Sequence, residues 1–332
     1  MNVKSRILIV NPLFRNLFIS NCKDILKDKF DIDEFFIDYN VHYNKFTIFY
    51  HKIVNLFNIH FLKKRDYYKR LEKKRQNNYY QNCLKNIRYN YYEKVLFCRG
   101  DRIPIFVLDR LAKQAKELIN YQCDGVEMCP DIFDKKNYFT KIFSFEKDDI
   151  INYPNLKMSF ITNFYFRNHN NALAQIEYDF YYLGVGIEQR IKILSEFDKL
   201  FSSYKKRFLL SYFKPRENNK SIEYFTNPID YKTNIEDTQK ATCLIDLKLD
   251  SHNGLSFRFF EALYYNKKLI TNNKDVVNYD FYNSNNILIV DYNNIVKDDV
   301  ERFLQLEYIK IDQNIVEKYA FDIWLKRILN LE

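Results

Sequence analysis

What most limits the fold of this chain is an alternation of short, unbroken apolar runs with helical patterns, an alternation that starts twice. Ile7-Leu8-Ile9-Val10 opens it, and a helical pattern follows from Leu17 to Leu26. Such a run suits a strand buried on both faces, and the amphipathic segment after it suits the crossover to a parallel neighbour. The spacing predicts further strands at Asp33–Asp38, Lys94–Cys98, Leu118–Tyr121 and Lys141–Phe145, with helices over Phe46 to about Tyr92 and Ile105 to about Gln114. A polar, aromatic stretch from Asn163 to Gln175 then interrupts the pattern and reads as a linker. Beyond it come strands at Tyr178–Leu183, Arg207–Tyr212, Ala241–Leu247, Lys268–Thr271 and Ile287–Val290, with helices at Gln189–Phe201 and Gly254–Tyr265. Ile315–Leu329 is a closing amphipathic helix that carries Trp324. Two such series across one linker predict an α/β chain of two Rossmann-like domains facing across a cleft. The boundaries expected are 1–165, 166–312 and, for the C-terminal helix, 313–332.

Composition removes several classes. With 332 residues, 47% of them hydrophobic, the chain has apolar material for two cores, which excludes global disorder. Six cysteines form no CxxC pair, so neither a zinc site nor a disulfide framework is expected. The first apolar run is too short for a signal peptide, and no window of about 18 uncharged apolar residues suits a membrane span. The expectation is a cytoplasmic protein with reduced thiols.

Only five glycines occur, Gly100, Gly125, Gly184, Gly186 and Gly254, each just after a predicted strand or at a predicted helix start. In doubly wound sheets ligands bind beyond the carboxyl ends of the strands, where a missing side chain lets backbone N–H groups approach a phosphate. A turn that needs positive φ would use glycine equally. The most informative stretch is Ser251–Leu263, SHNGLSFRFFEAL, followed within a few residues by KKLITNN. Its polar loop delivers Gly254-Leu255-Ser256 to a helix start, whose first-turn N–H groups can bind an anion. Arg258 and Glu261 lie three apart on a helix otherwise apolar nearly all round. On a surface they would form a weak ion pair, whereas a carboxylate buried in an apolar helix needs a partner or a ligand.

Taken together, the strand, the polar loop, GLSFRFFEAL and KKLITNN resemble the C-terminal domain of bacterial glycosyltransferases of the GT-B architecture, of the type that builds capsule and lipopolysaccharide. Tyr178-Asp179-Phe180-Tyr181-Tyr182-Leu183-Gly184, followed by Arg190-Ile191 and Leu194, is similar to the start of that domain. Phe133-Asp134 with Lys141–Asp149 (KIFSFEKDD) resembles the end of the N-terminal one, so the resemblance covers most of residues 94–291. It implies a glycosyltransferase that adds a sugar to a growing surface glycan, lipopolysaccharide, lipooligosaccharide or capsule. The nucleotide-sugar donor would sit on the C-terminal domain and the acceptor on the N-terminal one, with no cofactor beyond that co-substrate and no metal. Carried over residue by residue, Glu261 matches the acidic residue that binds the donor ribose hydroxyls, and a carboxylate can accept both. Gly254, Leu255 and Ser256 match the loop facing the diphosphate, next to Asn253, while Gly184 ends the first strand of the same domain. His252 sits in this loop, where a phosphate contact and a surface position are both open. Arg258 and Arg190 are the cations for the departing diphosphate, where fixed positive charge lowers the barrier most. The better-known retaining members carry two acidic residues eight apart on this helix, and here Asn253 stands eight before Glu261.

An inverting transferase needs a general base for the acceptor hydroxyl. Asp101, after Arg99-Gly100, and Asp124, before Gly125, are the candidates on the expected cleft side, and either could equally cap a helix. The net charge of +9 is concentrated in residues 61–75, FLKKRDYYKRLEKKR, whose eight basic and two acidic residues give +6. A basic helix with Tyr67, Tyr68 and Leu71 interleaved suits an anionic membrane surface beside a lipid-linked or oligosaccharide acceptor. A solvated helix or a nucleic-acid surface has the same charge, although nucleic acid is not the partner expected. The rival readings are an RNA-binding protein stacking bases on its abundant tyrosines, and a transferase that moves a pyruvyl or phosphoglycerol group on the same fold. The lone DxD of Asp31-Ile32-Asp33 would suit a metal-dependent transferase, but the pattern is common by chance.

Overall fold

Strands apolar on both faces are stable only where helices cover both sides of their sheet. The computed structural model, which describes residues 4–36, 45–63, 65–87, 89–167, 174–212, 221–227, 229–249 and 253–331, meets that condition twice. The first half runs β1 (Ser5–Val10), α1 (Arg15–Leu26), β2 (Phe30–Phe35), α2 (Lys45–His60), α3 (Tyr67–Asn86), β3 (Tyr92–Cys98), α4 (Ile105–Ala112), β4 (Ala115–Gln122), α5 (Ile132–Lys135), β5 (Lys141–Ser144), α6 (Lys147–Asn152) and β6 (Ser159–Phe160). The second runs β7 (Tyr178–Val185), α7 (Glu188–Leu200), β8 (Lys206–Ser211), β9 (Ile222–Phe225), α8 (Tyr231–Gln239), β10 (Ala241–Asp246), α9 (Phe257–Tyr264), β11 (Lys268–Thr271), β12 (Ile287–Ile289) and α10 (Lys297–Gln305). Two short helices, α11 (Gln313–Glu317) and α12 (Phe321–Leu329), follow.

Each half holds a six-stranded sheet with parallel pairing, in the orders β2-β1-β3-β4-β5-β6 and β12-β11-β10-β7-β8-β9. Counted from its own first strand, the second order is the 3-2-1-4-5-6 of dinucleotide-binding sheets, and the first is the related 2-1-3-4-5 order with one strand added. Strand order reverses between β1 and β3 and between β7 and β10, where a crevice opens at the carboxyl ends. The run Ile7–Val10 shows why the apolar pattern is unbroken. Ile7 and Ile9 pack with Phe18 and Trp324 on one face, Leu8 and Val10 with Tyr80 and Leu108 on the other, and all four are fully buried. Each such side chain contributes about 1.5–3 kcal/mol of transfer free energy.

Four expectations need correction. The single helix expected from Phe46 to Tyr92 is two, because Lys63 takes a left-handed conformation (φ 55°) that no glycine or proline announces. β2 begins at Phe30, ahead of the expected Asp33, and residues 37 and 38 lie outside the described ones. The closing helix is broken at Ala320, whose extended backbone (ψ 146°) lets the chain pair with Tyr165. There the Tyr165 N–H donates to Tyr319 O (3.0 Å) and the Phe321 N–H donates to Tyr165 O (2.9 Å). The start of the expected linker is therefore buried: Asn163, Phe164, Tyr165 and Phe166 cross between the halves inside the core, while 168–173 lie outside the described residues. Among the described residues no helix is long and apolar enough to cross a membrane.

Candidate functional site

The carboxyl ends of both sheets face a cavity of about 510 Å³, a volume that suits a small-molecule ligand. Its lining comes from the two points of strand reversal: Leu13 after β1, Arg99 after β3, Leu183-Gly184-Val185 at the end of β7, and Asp246-Leu247 at the end of β10. Five cationic side chains (Arg99, Arg102, Arg190, Lys248, Arg258) and two acidic ones (Asp124, Asp246) face it, so its field favours an anion.

On the second sheet's wall, Asp246 organises the start of α9. Its Oδ1 accepts from Ser256 Oγ (2.8 Å) and Arg258 Nη1 (3.2 Å), and its Oδ2 accepts from Thr271 Oγ1 (2.9 Å). Arg258 also donates to the Leu183 carbonyl and lies 5.0 Å over the Tyr182 ring, so the guanidinium is fixed in place. Arg190, near the start of α7, donates to Leu247 O at 3.1 Å and has no ion-pair partner among the described residues, and its Nε is buried without a hydrogen bond. Lys248 donates to Asn253 Oδ1 (2.6 Å) and likewise pairs with no carboxylate among the described residues.

Beside this cavity lies a second of about 260 Å³ that shares Leu183, Ser256, Phe257 and Arg258 and is lined in addition by Glu261, Tyr231, Asn234 and Phe14. Glu261 is only 4% exposed. Its Oε1 accepts from Tyr231 Oη (2.7 Å) and Asn234 Nδ2 (3.4 Å), and no donor among the described residues bonds its second oxygen. Burial pushes its carboxyl above the ordinary range, against the lowering effects of Tyr231, Arg258 and Asn234. Phe14, from the loop after β1, reaches across to Tyr231 (ring centroids 4.0 Å) and Phe257 (5.1 Å), so both halves wall this cavity.

The first sheet's wall is different. Arg99, left-handed at φ 68°, donates Nε and Nη2 to the two oxygens of Asp101, both at 2.8 Å, and Nη1 to Asp124. Cys123 also lines the cavity, but burial, only partly offset by Arg99, pushes its thiol up to about 11, so it carries no thiolate at neutral pH.

The candidates from the sequence are thus divided. Gly184, Arg190, Gly254, Ser256, Arg258 and Asp124 line the larger cavity, and Glu261 the smaller. Asn253 stands behind, linking Lys248 to Asp148 of the first half (Nδ2 to Oδ2 2.6 Å). Leu255 is buried core, with its carbonyl accepting from Asn163 (2.9 Å). Asp101 is 3% exposed, lines neither cavity and accepts from Arg99 on both oxygens, which places it behind the wall that Asp124 faces. His252 lies outside the described residues.

The helix expected from Gly254 starts at Phe257, so the glycine precedes it rather than opening it. A Cβ at Gly254 would lie 2.8 Å from the Phe145 carbonyl oxygen and nearer still to its ring. Gly254 is a point of contact between the halves, and no described glycine has positive φ. Arg258 and Glu261 do not bond each other; they point to Asp246 and Tyr231 instead. Asp33 of the DxD accepts from Arg6 (3.0 Å), Asn90 (2.9 Å) and Tyr92 (2.9 Å), which makes it a structural staple away from both cavities. Asp246, Lys248 and Asn273, which line the larger cavity, and Tyr231 and Asn234, which line the smaller, were not anticipated. Only Asp246 had a local signal, an acid closing an apolar strand; the others reach the site through tertiary contacts. Among the described residues no group of three or more His, Cys, Asp or Glu side chains could hold a metal ion.

No family model matches the sequence, and no curated protein matches it. Solved structures do match in shape. Sucrose-phosphate synthase from Thermosynechococcus elongatus superimposes with a TM-score of 0.58 at 9% identity, covering 99% of this chain and 98% of that one. An α-glucosyltransferase in complex with UDP and a 13-mer DNA gives 0.55 at 11% identity, over 97% and 95%. UDP-N-acetylglucosamine 2-epimerase from Rickettsia bellii gives 0.55 at 8%, over 99% and 97%. Identity this low carries the fold and nothing finer. The chain has the GT-B architecture, two doubly wound parallel sheets facing each other across a cleft.

Proposed function

We propose that this chain is a glycosyltransferase that moves a sugar from a nucleotide-sugar donor to a growing surface glycan of the lipopolysaccharide, lipooligosaccharide or capsule type. One observation carries the donor half of the reading, and the surface-glycan acceptor rests on the resemblance of the GLSFRFFEAL and KKLITNN segments. Three cations without carboxylate partners among the described residues face the interdomain cavity, Arg190 and Lys248 from the second half and Arg102 from the first, while the buried Glu261 faces its neighbour, with the fixed Arg258 between them. The distribution fits an elongated ligand with a diphosphate at one place and a diol at another. Residues up to 165 form the acceptor side and 166–312 the donor side in this reading. The diphosphate lies against Arg190, Lys248 and the first turn of α9, whose N–H groups and positive end favour an anion. As the glycosidic bond to the donor breaks, charge grows on the leaving phosphate, and cations already in place stabilise it without reorganisation. Glu261 accepts the ribose hydroxyls on the oxygen that Tyr231 and Asn234 leave open. Asp124, half exposed on the opposite wall, is the group we assign to take the acceptor proton, in preference to Asp101. The fixed charges serve this role without a metal.

The test is a thermal-shift screen of wild type and Glu261→Ala against UDP, GDP, CMP, dTDP and ADP, with magnesium or with EDTA. A nucleotide that binds the folded state raises the melting temperature. We expect one nucleotide to stabilise wild type equally with EDTA and magnesium, and to lose most of that effect in Glu261→Ala. Incubating its sugar conjugate without acceptor is the control, since a 2-epimerase on this fold would change the donor sugar alone. No shift with any nucleotide would overturn the reading.

A further inference from the structure

Helix α2 is inside out. Phe46, Phe49, Tyr50, Ile53, Leu56 and Phe57 recur at three- and four-residue spacing, which puts them on one face, and all six are exposed. Phe61, one turn beyond Phe57, extends the row; Phe46 is 87% exposed, Phe61 74% and Phe49 64%. The opposite face carries polar contacts to α3: His51 Nδ1 lies 2.7 Å from Tyr67 Oη, and Arg70 donates to the buried Asn58 at 3.3 Å. A helix on the surface of a globular protein ordinarily has its apolar face turned inward. A contiguous apolar row turned outward marks an interaction surface.

The neighbouring segment supplies charge. Lys63, Arg65, Lys69, Lys73 and Lys74 are exposed on α3 and the connector before it, and none forms an ion pair among the described residues. The two acids of the stretch are taken up locally, Asp66 by Arg70 (3.2 Å) and Glu72 by Arg75 (2.7 Å). An occupant must therefore offer an apolar layer and negative charge side by side. A second copy of the chain would bring another +6 against the first, which opposes pairing across this face.

We propose that α2 and α3 form a docking face for an anionic lipid bilayer, with the apolar row of α2 lying in the interface and the cations of α3 against the headgroups. At 16 residues α2 is about 24 Å long, and with its polar inner face held by α3 it lies along a membrane rather than across it. The basic stretch alone marked only the charged half of this surface; the apolar half is in the helix before it. The inference does not depend on the transferase reading, and its test contains no nucleotide.

Full-length protein is sedimented with phosphatidylcholine vesicles containing phosphatidylglycerol, and with phosphatidylcholine alone. We expect binding to the first, little to the second, and weakening with salt. Phe49→Glu with Phe57→Glu should lower the vesicle affinity by about a hundredfold, since two aromatic side chains are lost from the interface. Lys69→Glu with Lys73→Glu should lower it by at least about tenfold. All four positions are exposed, and an unchanged melting temperature confirms that each variant is folded. Absence of binding by folded wild type, equal binding to neutral vesicles, or binding that survives the phenylalanine substitutions would overturn the proposal. So would a dimer in sedimentation equilibrium that Phe49→Glu dissociates, because a second copy would then be the occupant.

Discussion

On the first sheet's side of the cavity Arg99 meets two carboxylates, Asp101 and Asp124, and Arg102 meets none, two cations against two acids; on the second sheet's side Arg258 meets one, Asp246, and Arg190 and Lys248 meet none, three cations against one acid among the described residues. Arg99 follows a strand at a point of order reversal, and Arg258 bonds the carboxylate that closes another. The topology beneath them is nearly the same. What differs is how many acids the local sequence supplies, so one wall is close to neutral and the other retains positive charge. Which sheet receives an anionic ligand is thus decided by a few carboxylates at strand ends, with little help from the fold itself.

Substitutions can break or sharpen this contrast. The largest effect is expected from Arg99→Ala, which leaves Asp101 buried without its counter-ion and should cost about 3–5 kcal/mol of stability, read from a denaturant midpoint. Its effect on nucleotide affinity in the surviving folded fraction should be small; a large one would mean that both walls hold the ligand. Arg190→Ala should do the reverse, weakening nucleotide binding about 10- to 100-fold in calorimetry while leaving the ligand-free melting temperature almost unchanged. Gly254→Ala adds a methyl group against the Phe145 carbonyl and should cost about 1–3 kcal/mol through overpacking between the halves.

The smallest effect is the titration of Glu261. Its folded pKa is raised by burial, so its contribution to stability is fully present below the ordinary value of 4.5 and is lost as pH rises through the folded value. Glu261→Gln should remove that slope from melting curves recorded against pH. Nucleotide affinity should run the opposite way, falling as acid protonates the carboxylate that accepts the ribose hydroxyls, and the Gln variant should show no such fall.

The strands that were legible, such as Ile7–Val10 and Lys268–Thr271, are those buried on both faces, where the apolar run has no interruption to misread. β9 and α10 were not: Ile222–Phe225 is too short for its period to register, and Lys297–Gln305 was passed over although Val300, Phe303 and Leu304 fall at helical spacing. The break at Lys63 carries no glycine or proline, so local chemistry could not announce it. In the site, Glu261 and Arg258 stood out as charges on an apolar helix. Their partners did not, since Tyr231 and Asp246 lie 30 and 12 residues away in the chain and only folding brings them near. Gly254 was legible as special but for another reason, a close approach by Phe145 that the surrounding residues cannot express.

The placement of α12 has a consequence for the order of folding. Phe321, Trp324, Leu325, Ile328 and Leu329 belong to the same core cluster as Ile7, Ile9 and Phe18, and Arg167 meets Asp322 across 155 residues. During synthesis the first half therefore emerges with this face of its sheet only partly covered, by α1, and the rest of the face stays open until residues 321–329 have been made. The core clusters of the second half draw on the chain before it through Tyr165 alone among the described residues, so that half can form while the first waits. This chain is thus expected to finish with its beginning, and a truncation before Phe321 should leave the earlier half, not the later, exposed to proteases and aggregation.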